Sequence, residues 1–162
     1  MKVSAIIPAA GLGIRLGEEK QFKLLAGFPL FIHSIRTFIN SPKIDEIVVV
    51  APKNKKKTIY DWLTPISHKK NIVVTHGGLR RQDSVKNGVF ESDSNSDLIC
   101  IHDAARPFVT TKIIEECINS AKNSDGVVVA IPSTSTVKYS KNNIIEKTIN
   151  SCLLYTSDAA DE

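Results

Sequence analysis

The chain has 162 residues, of which 42% are hydrophobic and 23% charged, and its formal net charge is +4 at pH 7. These values are ordinary for one soluble globular domain with a sizeable core. The sequence contains no apolar run of the roughly 18 residues that a membrane span needs, and its N-terminus lacks a signal-peptide pattern. We therefore expect a cytoplasmic protein without a membrane partner, whose positive charge suits an anionic ligand.

The first candidate element is an apolar run at residues 3–7, which breaks at Pro8 into a loop. Such a run is typical of a strand that ends at a ligand. The loop contains three glycines, Gly11, Gly13 and Gly17. Glycines let backbone N–H groups approach an anion, and Arg15 and Lys20 add positive charge beside them. Because the spacing fits neither the dinucleotide fingerprint nor the P-loop, it predicts either another kind of phosphate-binding loop or a plain strand-to-helix turn.

Helices and strands then alternate along the chain. Helical spacing of apolar residues predicts an amphipathic helix over 30–39, with polar residues such as Ser34 between the apolar ones. Further helices are expected at 53–62, 85–90 and 113–118, and strands at 44–51, 72–75, 98–101 and 126–131. Residues 136–139 and 144–148 alternate around Asn142 and Asn143, which predicts a hairpin. This order predicts an α/β fold, a mostly parallel twisted sheet with helices on both faces.

Charged loops follow the predicted strands at the edge where parallel sheets bind ligands. Gly77 and Gly78 precede an arginine pair, and residues 102–107 carry Asp103 and Arg106. An aspartate there can hold Mg²⁺, which with lysine and arginine neutralises a transferring phosphoryl group. The alternative for Asp103 is a turn-capping carboxylate. The basic cluster at 53–57 lacks interleaved aromatic residues, so we interpret it as a solvated helix face and expect no nucleic-acid partner.

The last residues, 151–162, differ in character from the rest. From Cys152 onward they contain three acidic residues and no basic one, and they resemble one reading frame of a sequencing adapter. We interpret 151–162 as a non-native tail, to be left out of fold reasoning. Without it the chain has 21 basic and 14 acidic residues, a net charge of +7. If the adapter begins within codon 151, the native residue in place of Ser151 is predicted to be arginine.

Several motifs, in order, resemble one known family. They are Pro8-Ala9-Ala10-Gly11-Leu12-Gly13-Ile14-Arg15, Lys20-Gln21-Phe22, Gly77-Gly78, Arg81-Gln82-Asp83-Ser84-Val85 and His102-Asp103-Ala104-Ala105-Arg106-Pro107. Over residues 1–150 the chain resembles the 2-C-methyl-D-erythritol 4-phosphate cytidylyltransferases. The resemblance implies a Rossmann-like nucleotidyltransferase, usually a homodimer, that uses CTP, a polyol phosphate and Mg²⁺ or another divalent cation. The substrate's phosphate attacks the α-phosphorus of CTP, and pyrophosphate leaves.

The same resemblance implies roles for individual residues. Arg15 and Lys20 would be catalytic, binding the triphosphate, with Lys20 stabilising the transition state. Arg106 and Thr136 would contact the sugar phosphate, and Asp103 would serve the metal. The implied nucleotide-binding residues are Ala9, Ala10, Gly11, Gly13, Gly78, Arg81, Ser84, Asp103 and Ala104. Leu79 and Ser135 depart from the family, which often has acidic residues at these positions.

The resemblance also implies an incomplete domain. Residues 136–150 would form a protruding β-arm exchanged with a partner subunit, and the family continues beyond residue 150 with a second catalytic lysine. We therefore expect little or no turnover from this chain alone. Two alternatives stay open, a ribitol 5-phosphate cytidylyltransferase of the same fold and a non-catalytic nucleotide-binding or dimerisation module.

Overall fold

A computed structural model describes residues 1–11, 13, 17–132, 136–149 and 155–156. The chain forms two compact units, residues 1–119 and 120–162, and each is taken on its own. Among the described residues, no helix has the length and apolar character that crossing a membrane requires.

The first unit alternates strands and helices as the sequence predicts. Its elements in chain order are β1 (Val3–Pro8), a 3₁₀ turn (Lys20–Phe22), β2 (Leu24–Leu25), β3 (Phe28–Pro29), α1 (Leu30–Asn40), β4 (Glu46–Ala51), α2 (Lys56–Leu63), a second 3₁₀ turn (Ser67–Lys69), β5 (Asn71–His76), α3 (Arg81–Glu91), β6 (Leu98–Ile101) and α4 (Thr111–Ser120). Four strands form a sheet in the order β5-β4-β1-β6. Every pairing in it is parallel, so the carboxyl ends of all four strands share one edge.

Both faces of this sheet are covered, which confirms the predicted architecture. On one face alternate residues of β1 and β4 pack with α1, α2 and α4 in a single cluster that includes Phe31, Ile59 and Ile114. On the other face Ile6, Val48 and Val50 form a second cluster, and α3 contacts β1, β4 and β5. Because β1 and β4 are buried on both faces, their sequences are continuously apolar instead of alternating.

The amino edge of the sheet is closed by a buried polar network around Glu46, whose side chain is 6% exposed. The Glu46 carboxylate accepts hydrogen bonds from Ser4 Oγ at 2.8 Å, Asn71 Nδ2 at 3.0 Å and the Asp93 backbone N–H at 2.9 Å. Lys2 pairs with the Asp93 carboxylate, which holds the pKa of Asp93 below its usual value. This network joins the starts of three strands to the segment that precedes β6.

The second unit, residues 120–162, contains short β pairings. Its described elements are a 3₁₀ turn (Ala121–Asn123), β7 (Ile131–Pro132), β8 (Lys138–Lys141), β9 (Ile144–Thr148) and β10 (Tyr155–Thr156). β8 and β9 form the predicted antiparallel hairpin. Asn142 and Asn143 both have positive φ, 51° and 61°, as a two-residue hairpin turn requires.

The prediction of a strand over residues 126–131 is wrong for most of that range. Only Ile131 is in a strand, and β7 pairs with β10. Val128 and Val129 are 77% and 54% exposed, and no strand pairs with residues 126–130 in the described part of the unit. An apolar run forms a strand only where a neighbour completes its hydrogen bonds.

Candidate active site

The glycine loop leaves the sheet at the carboxyl end of β1. The Ala9 N–H still donates to the Val50 carbonyl at 2.8 Å, but the N–H groups of Ala10 and Gly11 have no acceptor among the described residues. Gly13 has φ +63°, and a Cβ there would lie 1.6 Å from the Glu18 carbonyl oxygen, so the position requires glycine. The loop therefore offers unpaired backbone donors at the sheet edge. Arg15 lies outside the described residues.

Lys20 stands beside this loop on the 3₁₀ turn. Its neighbour Gln21 is buried and donates from Nε2 to the carbonyls of Ala9 and Gly11, both at 2.8 Å. Phe22 packs edge-on against Phe31 of α1, with ring centroids 5.5 Å apart. The Lys20 ammonium makes no hydrogen bond or ion pair with a residue in the described ranges. A cation on a turn that is hydrogen-bonded to a loop with open N–H groups is suited to a phosphate chain.

The loop after β5 touches the glycine loop directly. A Cβ at Gly77 would lie 2.2 Å from Ala10 Cβ, so only glycine lets the two loops approach this closely. The Gly78 N–H donates to the Oγ of Ser84 at 3.1 Å, and Ser84 is buried at the start of α3. Asp83 accepts from the N–H and the guanidinium of Arg80, which holds the Asp83 pKa below its usual value. Two predicted site residues, Gly78 and Ser84, are therefore hydrogen-bonded to each other, and the adjacent Gly77 packs against Ala10.

Two charged residues of the loop after β6, Asp103 and Arg106, form a group with Arg81 at the start of α3. Arg81 donates from Nε and Nη2 to one oxygen of Asp103, at 3.1 and 2.8 Å. Arg106 Nε lies 3.4 Å from the other oxygen. This loop also adjoins β1, because the Ala104 N–H donates to the Pro8 carbonyl at 3.3 Å. The fold thus brings together four predicted site residues: Arg81, Asp103, Ala104 and Arg106.

His102 precedes this group and is mostly withdrawn from solvent. Its ring lies 5.1 Å from the Phe38 ring, and its Nε2 is 3.0 Å from the Arg106 carbonyl oxygen. Burial lowers the pKa of His102, and the hydrogen bond to the Arg106 carbonyl and the Asp103 charge oppose this shift without reversing it. The neutral imidazole therefore donates to the loop as a structural group, and the geometry assigns it no chemistry.

Thr136, the remaining predicted residue, is exposed and belongs to the second unit. Its role toward the sugar phosphate stays a prediction, as do the nucleotide-binding roles of the other residues. Ser135 and Ser151 lie outside the described residues.

The predicted Mg²⁺ ligand can be tested against this geometry. No group of three or more His, Cys, Asp or Glu side chains that could hold a metal occurs in the described ranges. Both oxygens of Asp103 already face guanidinium groups, and a dication there would have to displace them. The described residues therefore do not fit a metal site built by the protein, and we derive no step through a metal. The role of Asp103 as a metal ligand stays a prediction. The two guanidinium groups that face its oxygens argue against it.

Sequence reasoning missed two buried side chains that hold the site loops. Ser34, expected among the polar residues of α1, is fully buried, and its Oγ lies 3.1 Å from the carbonyl oxygens of both Ala104 and Arg106. Ser34 lies three residues after Phe31 and four before Phe38, so it shares their buried face of the helix. This spacing could have predicted its burial. Gln21 was noticed only as part of a motif, because no local pattern reveals an inward-facing amide.

A parallel sheet with a glycine loop, a lysine and an arginine pair at its carboxyl edge defines a Rossmann-like α/β protein of the nucleotidyltransferase class. The model of the IspD family, 2-C-methyl-D-erythritol 4-phosphate cytidylyltransferase, matches residues 3–159. The chain belongs to this family, which confirms the resemblance found from the motifs.

Individual relatives agree with this assignment. A Clostridioides difficile 2-C-methyl-D-erythritol 4-phosphate cytidylyltransferase is 38% identical over 156 residues, covering 95% of this chain and 66% of the relative. The crystal structure of 4-diphosphocytidyl-2C-methyl-D-erythritol synthase from Anaerococcus prevotii has a TM-score of 0.84 at 29% identity, covering 96% of this chain and 67% of that one. The Francisella tularensis enzyme has a TM-score of 0.73 at 30% identity, with 96% and 69% covered. The chain thus spans 66% of the length of the C. difficile relative and 60% of one from Solibacter usitatus.

Proposed function

We propose that this chain carries the CTP-binding part of a cytidylyltransferase that transfers CMP from CTP to 2-C-methyl-D-erythritol 4-phosphate. The products are pyrophosphate and 4-diphosphocytidyl-2-C-methyl-D-erythritol. The observation that carries the proposal is the convergence, at one sheet edge, of open backbone donors at Ala10 and Gly11, the Lys20 turn and the Arg81–Asp103–Arg106 group. Family membership supplies the substrate class.

The chemistry needs positioning and charge neutralisation more than proton transfer. The attacking phosphate oxygen of the polyol phosphate is already an anion, so no strong general base is required. The new P–O bond forms at the α-phosphorus as the bond to the β-phosphate breaks and pyrophosphate leaves. Lys20 and the N–H groups of Ala10 and Gly11 would stabilise charge on the triphosphate.

The close contact of the two loops brings their backbone groups together at this edge. Gly77 and Ala10 have no room between them for an added methyl group. Backbone groups around Gly78, fixed through Ser84, would offer the cytidine rigid donors and acceptors, and such polar pairing distinguishes one base from another. Leu79, 99% exposed beside them, adds an apolar surface for the base.

Arg106 would receive the phosphate of the second substrate, and Arg81 beside it would bind the nucleotide. Both guanidiniums are held by Asp103, which fixes their geometry before a ligand arrives and so reduces the entropy lost on binding.

Titration calorimetry with CTP, UTP and ATP, each with Mg²⁺, tests the proposal after a cooperative melt has been recorded. We expect binding of CTP with at least tenfold preference over ATP, as a specificity built from polar pairing provides. A folded chain that binds all three alike would contradict a cytidylyl site. Pyrophosphate release with methylerythritol 4-phosphate and with ribitol 5-phosphate then separates the two sugar substrates.

The hairpin of β8 and β9 is proposed as the arm that meets a second subunit. Its residues are exposed, including Ile144 at 69% and Ile145 at 62%, and exposed apolar side chains of this kind mark contact surfaces. Light scattering should give a dimer mass for the chain and a monomer mass for Ile144→Lys with Ile145→Lys. A monomeric parent chain would contradict the arm assignment.

A further inference from the structure

Gln21 of the Lys20-Gln21-Phe22 motif has no role yet in the proposed function. Its side chain is 5% exposed, and its amide nitrogen donates to two carbonyls of the glycine loop, Ala9 and Gly11, at 2.8 Å each. Because both partners are acceptors, only the nitrogen of the amide can face them. Both hydrogens of that nitrogen are therefore used on one loop.

These bonds set the direction of the loop's peptide groups. In a planar trans peptide the carbonyl and the following N–H point in opposite directions. Holding the Ala9 carbonyl toward Gln21 therefore turns the Ala10 N–H away from it, and this N–H has no acceptor among the described residues. Gln21 thus keeps this unpaired donor turned away from its own side chain.

The other end of the connection is equally fixed. Phe22 packs on Phe31, Lys55 lies 4.3 Å above the Phe22 ring, and Glu19 pairs with Lys55. The Phe22 and Lys23 N–H groups close the 3₁₀ turn on the carbonyls of Glu19 and Lys20. Gln21 is therefore a rigid link between the loop and the turn that carries Lys20.

From this geometry we infer that Gln21 is a positioning residue for nucleotide binding, which holds the loop donors and the Lys20 turn in one fixed arrangement. The identity of the ligand, CTP, rests on the proposed function, whereas the link between the loop and the turn rests on the Gln21 hydrogen bonds. Without the link the binding-competent arrangement is populated only part of the time, and the apparent Kd rises by the inverse of that fraction.

Two variants of nearly equal volume test the inference. Gln21→Met keeps the length of the side chain but has no donor, and Gln21→Glu places a carboxylate against two carbonyl oxygens. We expect amide hydrogen exchange at Phe22 and Lys23, which donate to Glu19 and Lys20 at 3.0 and 2.9 Å, to quicken in both variants. The Kd for CTP should rise about tenfold, as loss of two buried hydrogen bonds would give.

A pH series separates positioning from simple packing. Burial against carbonyl oxygens raises the pKa of an introduced glutamate above its usual value of about 4.3, so the group protonates as pH falls. A protonated carboxyl has one donor. The ratio of the Gln21→Glu Kd to the parent Kd should therefore shrink between about pH 8 and about pH 5.5, whereas the Gln21→Met ratio stays constant. Ratios that both stay constant would contradict a hydrogen-bonding role.

Ser4→Ala is the matched control. Ser4 is fully buried and makes hydrogen bonds to Glu46 and Ser96 at the opposite edge, so this variant should lose stability without changing CTP affinity. If the parent chain binds no CTP, the proposed function fails, and exchange at the turn alone decides about Gln21. Exchange and affinity both unchanged in Gln21→Met would overturn the inference.

Discussion

The two edges of the parallel sheet handle polar groups in opposite ways. At the amino edge the donors around Glu46 come from the chain itself, from Ser4, Asn71 and the Asp93 backbone. At the carboxyl edge Ala10 and Gly11 keep N–H groups without an acceptor in the described ranges. One edge is closed and contributes to stability, and the other is left open for a ligand, as is usual in open α/β sheets.

The difference extends to how each edge holds its charges. The Glu46 carboxylate is buried and has several donors, whereas the half-buried Lys20 ammonium has no partner among the described side chains. Asp103 lies between these extremes, because its partners Arg81 and Arg106 are themselves candidates for ligand binding. Substitutions at the amino edge should therefore change unfolding, and those at the carboxyl edge should change binding.

The largest expected effect is at the amino edge. Glu46→Ala removes a buried carboxylate that accepts from Ser4, Asn71 and the Asp93 N–H, which should lower the free energy of unfolding by about 3 kcal/mol. Urea unfolding followed by circular dichroism measures this loss. Glu46→Gln, which keeps one acceptor oxygen, should lose less. CTP affinity of the folded fraction should be unchanged, and a loss of affinity equal to that at Lys20 would break the distinction between the edges.

Lys20→Met should show the reverse behaviour. Removing a cation that contacts phosphate, the role proposed for Lys20, costs about 2 kcal/mol, close to a 30-fold rise in the Kd for CTP. The free energy of unfolding should stay within about 0.5 kcal/mol of the parent. Lys23→Met is the matched control, because it removes the same charge from the same segment. Lys23 is 52% exposed and pairs with Glu18. Equal weakening by both variants would reduce Lys20 to a contributor to net charge.

His102 gives a smaller effect that depends on pH. Its folded pKa is lowered by burial from the ordinary 6.5, so the unfolded chain takes up a proton first as pH falls. Stability is therefore full above about pH 6.5 and decreases below it, by at most about 2 kcal/mol at pH 5. Urea unfolding of the parent and of His102→Gln at several pH values isolates this contribution.

His102→Gln should lose the part of the parent's pH dependence that comes from this group. If the free energy of unfolding depends on pH in the same way in the parent and in His102→Gln, protonation of His102 does not contribute to the pH dependence of stability.

Much of the sheet and its edge could be predicted from sequence, because continuous apolar runs mark strands buried on both faces. The runs at β1 and β4 predicted their strands, and the loops that follow β1, β5 and β6 lie at one edge as expected. The helix over α1 was equally clear, since Phe31 and Phe38 recur at helical spacing. Local pattern was sufficient wherever burial repeats along the chain.

The rest depends on contacts that local pattern does not contain. Arg81 and Asp103 are 22 residues apart, and their pairing follows from strand order. Gln21 and Ser34 face inward because loop carbonyls need donors there. The hairpin of β2 and β3 has only two residues in each strand, too few for a periodic signal. Residues 126–130 show the opposite error, an apolar run without a described partner strand.

The last prediction concerns chemical labelling in β6, the end strand of the sheet order β5-β4-β1-β6. Burial raises the pKa of Cys100 in β6 to about 11, so only about one thiol in a thousand is ionised at pH 8. Because the thiolate is the reactive form, iodoacetamide at pH 8 should label Cys100 far more slowly than a free cysteine peptide, as followed by peptide mass spectrometry. Cys117 of α4, whose pKa burial also raises, is less buried and should react sooner. Rapid labelling of Cys100 in the folded chain would mean that β6 opens readily, and then the Asp103 loop that follows it could not be the fixed part of the carboxyl edge that ligand binding requires.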